Sequence, residues 1–155
     1  ATTQEAYEEA YEEVFAGLDH LDAHLADNRY LLGEVLTEAD IRLFTTLIRF
    51  DAVYVGHFKC NLRRIVDYPN LWAYTREIYQ MPGVADTVNL THIRGHYYAS
   101  HESVNPTGII AVGPDLDYWQ PHLGHLRLSE LTAAKIAEHR DLLGSTPIPR
   151  FDRTA

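Results

Sequence analysis

The sequence predicts an all-α domain, a bundle of five to seven helices followed by an extended loop and a final helix. Three observations carry that prediction. Apolar residues recur at three- and four-residue steps over most of the first hundred positions, the period of one helix face. The periodic segments are separated by turn-forming groups, Asp27-Asn28, Asp67-Tyr68-Pro69-Asn70 and Met81-Pro82-Gly83. The one candidate strand, Ile109-Ile110-Ala111-Val112, has no evident partner.

The first element is an amphipathic helix over residues 4–26, with Tyr7, Tyr11, Val14, Leu18, Leu21 and Leu25 as its apolar stripe. Thr2 and Glu5 have capping-box spacing, which marks its start. Asp27-Asn28 ends it ahead of Tyr30-Leu31-Leu32 and Gly33. The next start is better marked. Thr37 supplies an N-cap hydroxyl and Asp40 a carboxylate three residues on, each able to accept from an N–H that the helix leaves unpaired. Leu36 and Ile41 have the spacing of a hydrophobic staple. Ile41, Leu43, Phe44, Leu47, Ile48, Phe50 and Val53 then make the helix apolar on most sides, so it is expected at the centre of the bundle.

After the turn at Pro69, a helix is expected over residues 71–79, a short one over 84–88, and another over 90–100 carrying Ile93, Tyr97 and Tyr98. Residues 105–125 hold Asn105-Pro106-Thr107-Gly108, Gly113-Pro114 and Gln120-Pro121 and read as an extended loop. Ser129 caps a last helix reaching about residue 143, and a loose tail ends the chain. The division is therefore a helical domain over 1–128 and a C-terminal helix and tail over 129–155.

Composition excludes several classes of function. The chain has 155 residues, enough for a single core, and its 46% hydrophobic and 23% charged content is that of a globular domain. No apolar run approaches the roughly 18 residues of a membrane span. The acidic, polar start lacks a signal peptide and an initiator Met, so a piece of a longer chain is expected. The single cysteine, Cys60, suggests a reducing, cytoplasmic setting. A net charge of −9 opposes nucleic-acid binding, and Lys59, Arg63 and Arg64 make too small a basic patch to reverse that.

Tyrosine and histidine are the chemically suggestive residues, ten and nine in number. A tyrosine has a broad apolar face for an aromatic phenol or quinone, and a hydroxyl that can donate to a developing oxyanion. Packing is the competing role for any single one. His92 and His96, four apart, share a helix face, with His101, His57 and His122 elsewhere. Neither a neighbouring Glu in the zinc-protease pattern nor a cysteine pair accompanies them, so no metal is assigned. Cys60, within His57-Phe58-Lys59-Cys60-Asn61, lacks a Cys-x-x-Cys or Cys-Pro setting and reads as a structural thiol. No Gly-x-Ser-x-Gly elbow or glycine-rich phosphate loop is present.

The run Tyr30-Leu31-Leu32-Gly33-Glu34-Val35-Leu36-Thr37-Glu38-Ala39-Asp40-Ile41 resembles the capped central helix of the glutathione transferase C-terminal domain. Tyr68-Pro69-Asn70-Leu71-Trp72 and Met81-Pro82-Gly83-Val84 resemble its continuation. Three further segments resemble the glutathionyl-hydroquinone reductases, or Xi class. They are Arg49 to Asn61, His92-Ile93-Arg94-Gly95-His96-Tyr97-Tyr98-Ala99-Ser100-His101, and Asn105-Pro106-Thr107-Gly108-Ile109-Ile110 with Gly113-Pro114. The resemblance covers residues 1–114.

It implies a two-domain enzyme in which a thioredoxin-like N-terminal domain, absent from this sequence, binds the cosubstrate glutathione and supplies a Cys-Pro cysteine. The helical domain provides the wall for the aromatic, quinone-type substrate, and the chain alone is expected to be inactive. A homodimer is also implied. In the family a tyrosine of the His-Tyr motif faces the substrate, which falls on Tyr97 as the catalytic residue. Tyr98, Arg94, His96 and Asn105 are its expected substrate-binding neighbours. The alternatives are an omega-like thiol transferase of other substrate range and a non-catalytic binding or dimerisation module.

Overall fold

In the computed structural model, which describes residues 2–122, the chain opens with α1 (Gln4–Asp27). Thr3, one residue past the expected Thr2, is the N-cap, accepting the Ala6 N–H at 3.2 Å. The inward stripe also differs by one position. Phe15 is buried with Leu18 and Leu25, whereas Val14 is exposed. Tyr7, Tyr11 and Phe15 recur at strict four-residue steps, so their rings meet along one face, with centroids 5.6 and 4.7 Å apart. Asn28 closes the helix, its side-chain amide and backbone N–H both donating to the His24 carbonyl.

Next comes α2 (Glu38–Arg49), which runs through a π-helical turn (Phe50–Tyr54) into the single turn α3 (Val55–His57). The capping box of Thr37 and Asp40 is present. Asp40 is fully buried and gathers four donors: the N–H groups of Leu31 and Thr37 at 2.8 and 2.7 Å, and the hydroxyls of Thr37 and Tyr74 at 2.8 and 3.0 Å. Burial opposes its ionisation, but these bonds outweigh it and hold the carboxyl below the usual carboxylate range. Because Asp40 takes the inward position, Ile41 is rotated outward and exposed. Burial on most sides begins only at Phe44 and extends through Leu47, Ile48, Phe50, Asp51, Ala52 and Val53.

Two more carboxylates fasten the next segment. Asp51, buried in the π-turn, accepts the N–H groups of Ile65 and Val66 at 2.6 and 3.1 Å, fixing the 3-10 turn Ile65–Asp67. Asp22 of α1 accepts the N–H groups of Asn70 and Leu71 at 2.9 and 2.8 Å. It thereby caps α4 (Pro69–Tyr79) from another helix, while Pro69 fills the first helical position, where no N–H is needed. α4 thus starts two residues before the expected position 71. It packs against α1 and α2 and buries Leu71, Trp72, Ala73, Tyr74, Thr75, Glu77 and Ile78, making it as central as α2.

Gly83, at φ +82, makes the turn after α4, and residues 84–88 form only a 3-10 turn, Ala85–Thr87. Asn89 then caps α5 (Leu90–Ser100) by accepting the His92 N–H at 2.9 Å. From the end of α5 to residue 122 the chain is irregular, and no strand occurs among the described residues. Ile109, Ile110 and Val112 point into solvent. The loop is pinned by donors from the helices: Arg94 to the Pro114 carbonyl at 2.7 Å, Gln80 to those of Tyr118 and Gln120 at 2.8 Å, and Arg76 to that of Pro121 at 2.9 Å. Tyr118 is buried beside Trp72 and Tyr79, with ring centroids 5.1 Å from each.

Among the described residues the fold is all-helical, with α3 only a turn, and no helix is long and apolar enough to cross a membrane. The expected helix from Ser129 and the separate unit 129–155 lie outside the described residues.

Candidate functional site

The aromatic series that begins on α1 continues inward. Phe15 meets Phe50 at 6.2 Å, Phe50 meets Tyr54 at 5.7 Å, and Tyr54 meets Tyr97 of α5 at 5.9 Å. The π-turn carries one extra residue per turn, with the Val55 N–H bonded to the Phe50 carbonyl. Tyr54, His57 and Phe58 follow at three- and four-residue spacing and lie on the side facing α5.

Tyr97 is half-buried, with aromatic rings on several sides. Phe58 stands perpendicular to it at 5.9 Å, His101 at 5.5 Å, and His96 lies at 5.3 Å. Its hydroxyl is 3.4 Å from that of Tyr54, at the long end for a hydrogen bond between hydroxyls. Burial, aided by this contact, pushes the Tyr54 phenol up to about 12, so Tyr54 stays protonated.

The other expected neighbours divide. His96 is exposed and its ring borders Tyr97. Tyr98, by contrast, turns away from the site. It is buried against Ala52 and Val53, its ring 4.9 Å from that of His57, and burial pushes its phenol up. Gly56 permits that approach, because a Cβ there would lie 2.6 Å from the Tyr98 hydroxyl. Arg94 donates to the Pro114 carbonyl, and the Asn105 side-chain amide donates to the carbonyls of Tyr98 and Ile109 at 2.8 and 2.9 Å. Both shape the loop after α5. The structure adds Tyr54, His57, Phe58 and His101. Their spacing within the sequence, three and four residues on one side and four on the other, is the signal that could have grouped them.

Cys60 is half-buried near the end of this segment, its Sγ 4.0 Å from the Phe58 carbonyl, and burial pushes its thiol up. That is the opposite of an activated nucleophile. Lys59 beside it adopts φ +61, and its carbonyl accepts the Tyr7 hydroxyl at 2.7 Å. His92 is exposed, and among the described residues no group of three or more His, Cys, Asp or Glu side chains is placed to hold a metal ion. A separate cavity of about 280 Å³ is lined by Arg29, Glu77, Gln80, Met81 and His122. There the buried Glu77 carboxylate takes the Arg29 guanidinium and the Tyr30 hydroxyl, both at 2.8 Å, on the same oxygen.

Residues 4–77 match the family described as the glutathione S-transferase C-terminal domain. The chain is 60% identical over 122 residues to the glutathionyl-hydroquinone reductase YqjG of Escherichia coli, covering 79% of this chain and 37% of that protein. It is 61% identical over 114 residues to the glutathionyl-hydroquinone reductase PcpF of Sphingobium chlorophenolicum, covering 74% and 36%. The glutathione-bound structure of YqjG superposes with a TM-score of 0.80, covering 83% of this chain and 42% of that one. A Xi-class transferase from Natrialba magadii superposes at 0.79 with 54% identity, covering 81% and 39%. The chain thus spans a little over a third of the length of the curated relatives it matches. It belongs to the glutathione transferase family, as a helical C-terminal domain similar to those of Xi-class transferases and glutathionyl-hydroquinone reductases.

Proposed function

We propose that this chain is the substrate-binding domain of a glutathionyl-hydroquinone reductase, and that Tyr97 donates a hydrogen bond to an oxygen of the hydroquinone. The observation that carries this reading is the half-buried Tyr97 phenol, edged by rings and bonded through its hydroxyl to Tyr54. An aromatic substrate fits such a wall, and the hydroxyl supplies its polar anchor. The names of the relatives support the substrate class, and the glutathione in the YqjG structure supports glutathione as cosubstrate.

In this reading a thioredoxin-like domain of the complete protein binds glutathione and supplies the cysteine, and the protein works as a homodimer. The cysteine thiolate attacks the glutathionyl sulfur. A sulfur–sulfur bond forms, the sulfur–carbon bond breaks, and its electron pair passes into the ring, whose carbon takes up one proton. A second glutathione removes the first as the disulfide. While charge resides on the ring oxygens, a fixed phenol donor stabilises it more than it stabilises the ground state. Tyr54 contributes by donating to Tyr97, which leaves the Tyr97 proton free to point at the substrate.

The test is glutathione-dependent reduction of a glutathionyl-hydroquinone by the full-length protein. Tyr97→Phe is expected to lower kcat/KM by roughly ten-fold or more, as loss of a transition-state donor does. Unchanged turnover by Tyr97→Phe would remove the assigned role. Full-length protein inactive on this substrate but active on other glutathione mixed disulfides would put an omega-like thiol transferase in its place.

A further inference from the structure

His57 and His101 come from different elements, α3 and the residue that closes α5, yet Nε2 of the first lies 3.1 Å from Nδ1 of the second. One nitrogen of that contact must carry a proton and the other a lone pair. His57 is 4% exposed, and its Nδ1 is buried without a hydrogen-bond partner. Orphaned buried N–H groups are rarer than under-used acceptors, so the proton of His57 belongs on Nε2. His57 then donates to Nδ1 of His101, which leaves the proton of His101 on its own Nε2, directed away from His57.

We propose that His57 is a positioning residue that fixes His101 as a neutral Nε2–H donor beside Tyr97, suited to an oxygen of an aromatic ligand. The geometry makes the pair directional. An extra proton on either ring, with the contact kept, requires an N–H on the buried Nδ1 of His57, where nothing accepts it. The surroundings agree. Burial first, then His101 and Lys59, hold the His57 imidazole below its ordinary value. The other titratable groups about the pair are His96, Tyr97 and Tyr98 on α5, with the exposed Glu102 following His101. The pair stands on this geometry alone, whereas its use on a hydroquinone oxygen rests on the function proposed above.

Imidazole nitrogen spectra of the intact, histidine-labelled protein, recorded from pH 5 to 9 with and without added hydroquinone, test the proposal. His101 is expected as the Nε2–H tautomer. Hydroquinone should shift its Nε2 resonance. His57→Leu should shift the His101 Nδ1 resonance, which loses its donor, and His57→Gln, which keeps an N–H donor, should restore it. A wild-type Nδ1–H tautomer, an Nδ1 resonance that His57→Leu leaves unmoved, or an unresponsive His101 when Tyr97 responds would each overturn it. If His101 behaves as expected but the full-length protein does not reduce a glutathionyl-hydroquinone, the proposed function fails and the pair stands.

Discussion

Lys59 sits at φ +61, in the left-handed region where a side chain costs roughly 1–2 kcal/mol. The conformation serves two neighbours: the Lys59 carbonyl receives Tyr7, and the following N–H of Cys60 reaches the Tyr54 carbonyl at 3.0 Å. Lys59→Gly should therefore raise the stability by about 0.5–1 kcal/mol, the steric relief exceeding the added chain entropy. Thermal melting checks it, and a lower midpoint would show that the turn is not strained. Gly56 makes the opposite case. A methyl group there meets the Tyr98 hydroxyl, which burial holds in place. Gly56→Ala is expected to cost about 1–3 kcal/mol, and Gly56→Ala with Tyr98→Phe should recover part of it, in denaturant titrations.

The residues of the site were unevenly legible. Tyr97 stood out through its resemblance to the His-Tyr motif. Tyr54 lies 43 positions from Tyr97 and His57 lies 44 from His101, and only tertiary packing reveals the pairing. Tyr98 was expected beside Tyr97 as a substrate-binding neighbour because it is adjacent in sequence. On a helix they point about 100° apart, so one enters the site and the other the core.

At the scale of elements, carboxylates organise the bundle. Asp40, Asp51 and Asp22 each accept backbone N–H groups from another segment. The Thr37–Asp40 cap was legible because its partners are three residues apart. Asp22 and Asp51 were not, since their partners lie 48 and 14 positions on. Asp22→Ala should destabilise by roughly 0.5–2 kcal/mol, the usual effect of losing a cap, as read from urea midpoints. The titration of Asp40 gives a pH window. Its folded-state value is depressed, so its contribution is fully present above the unfolded value of about 3.9 and is lost as pH falls through the folded value. The stability gap between wild type and Asp40→Asn should therefore be largest near neutrality and close below about pH 3.9. A gap independent of pH would assign the effect to geometry alone. Asp51 works the other way. Burial raises its value, so its contribution declines as pH rises from about 3.9 through the folded value.

Across the whole molecule, the helical class and the order of elements were readable because helix period and turn residues are local signals. The loop after α5 was readable as a loop, but its attachment was not. Arg76, Gln80 and Arg94 reach carbonyls 20 to 45 positions away, and Tyr118 inserts between Trp72 and Tyr79. Composition alone gives such a segment no anchor. Tyr118→Ala should cost about 3–5 kcal/mol if the ring is part of the core, and should change the tryptophan emission of Trp72. A loss below about 0.5 kcal/mol, the ordinary range of a surface substitution, would mean that the loop is only laid on the helices.

The π-turn between α2 and α3 has a consequence for how this chain can vary. It carries one residue more than an α-helical turn, and it ends at Tyr54, ahead of His57 and Phe58. Removing a single residue from Phe50–Tyr54 would mend the backbone ladder and leave the downstream bearing nearly unchanged, because the extra residue is taken up within the turn. The same deletion in α2 would swing Tyr54, His57 and Phe58 by about 100° and strip the Tyr97 wall of its facing side. Descendants of this sequence are therefore expected to tolerate a change of length at the π-turn and nowhere else between Asp40 and His57.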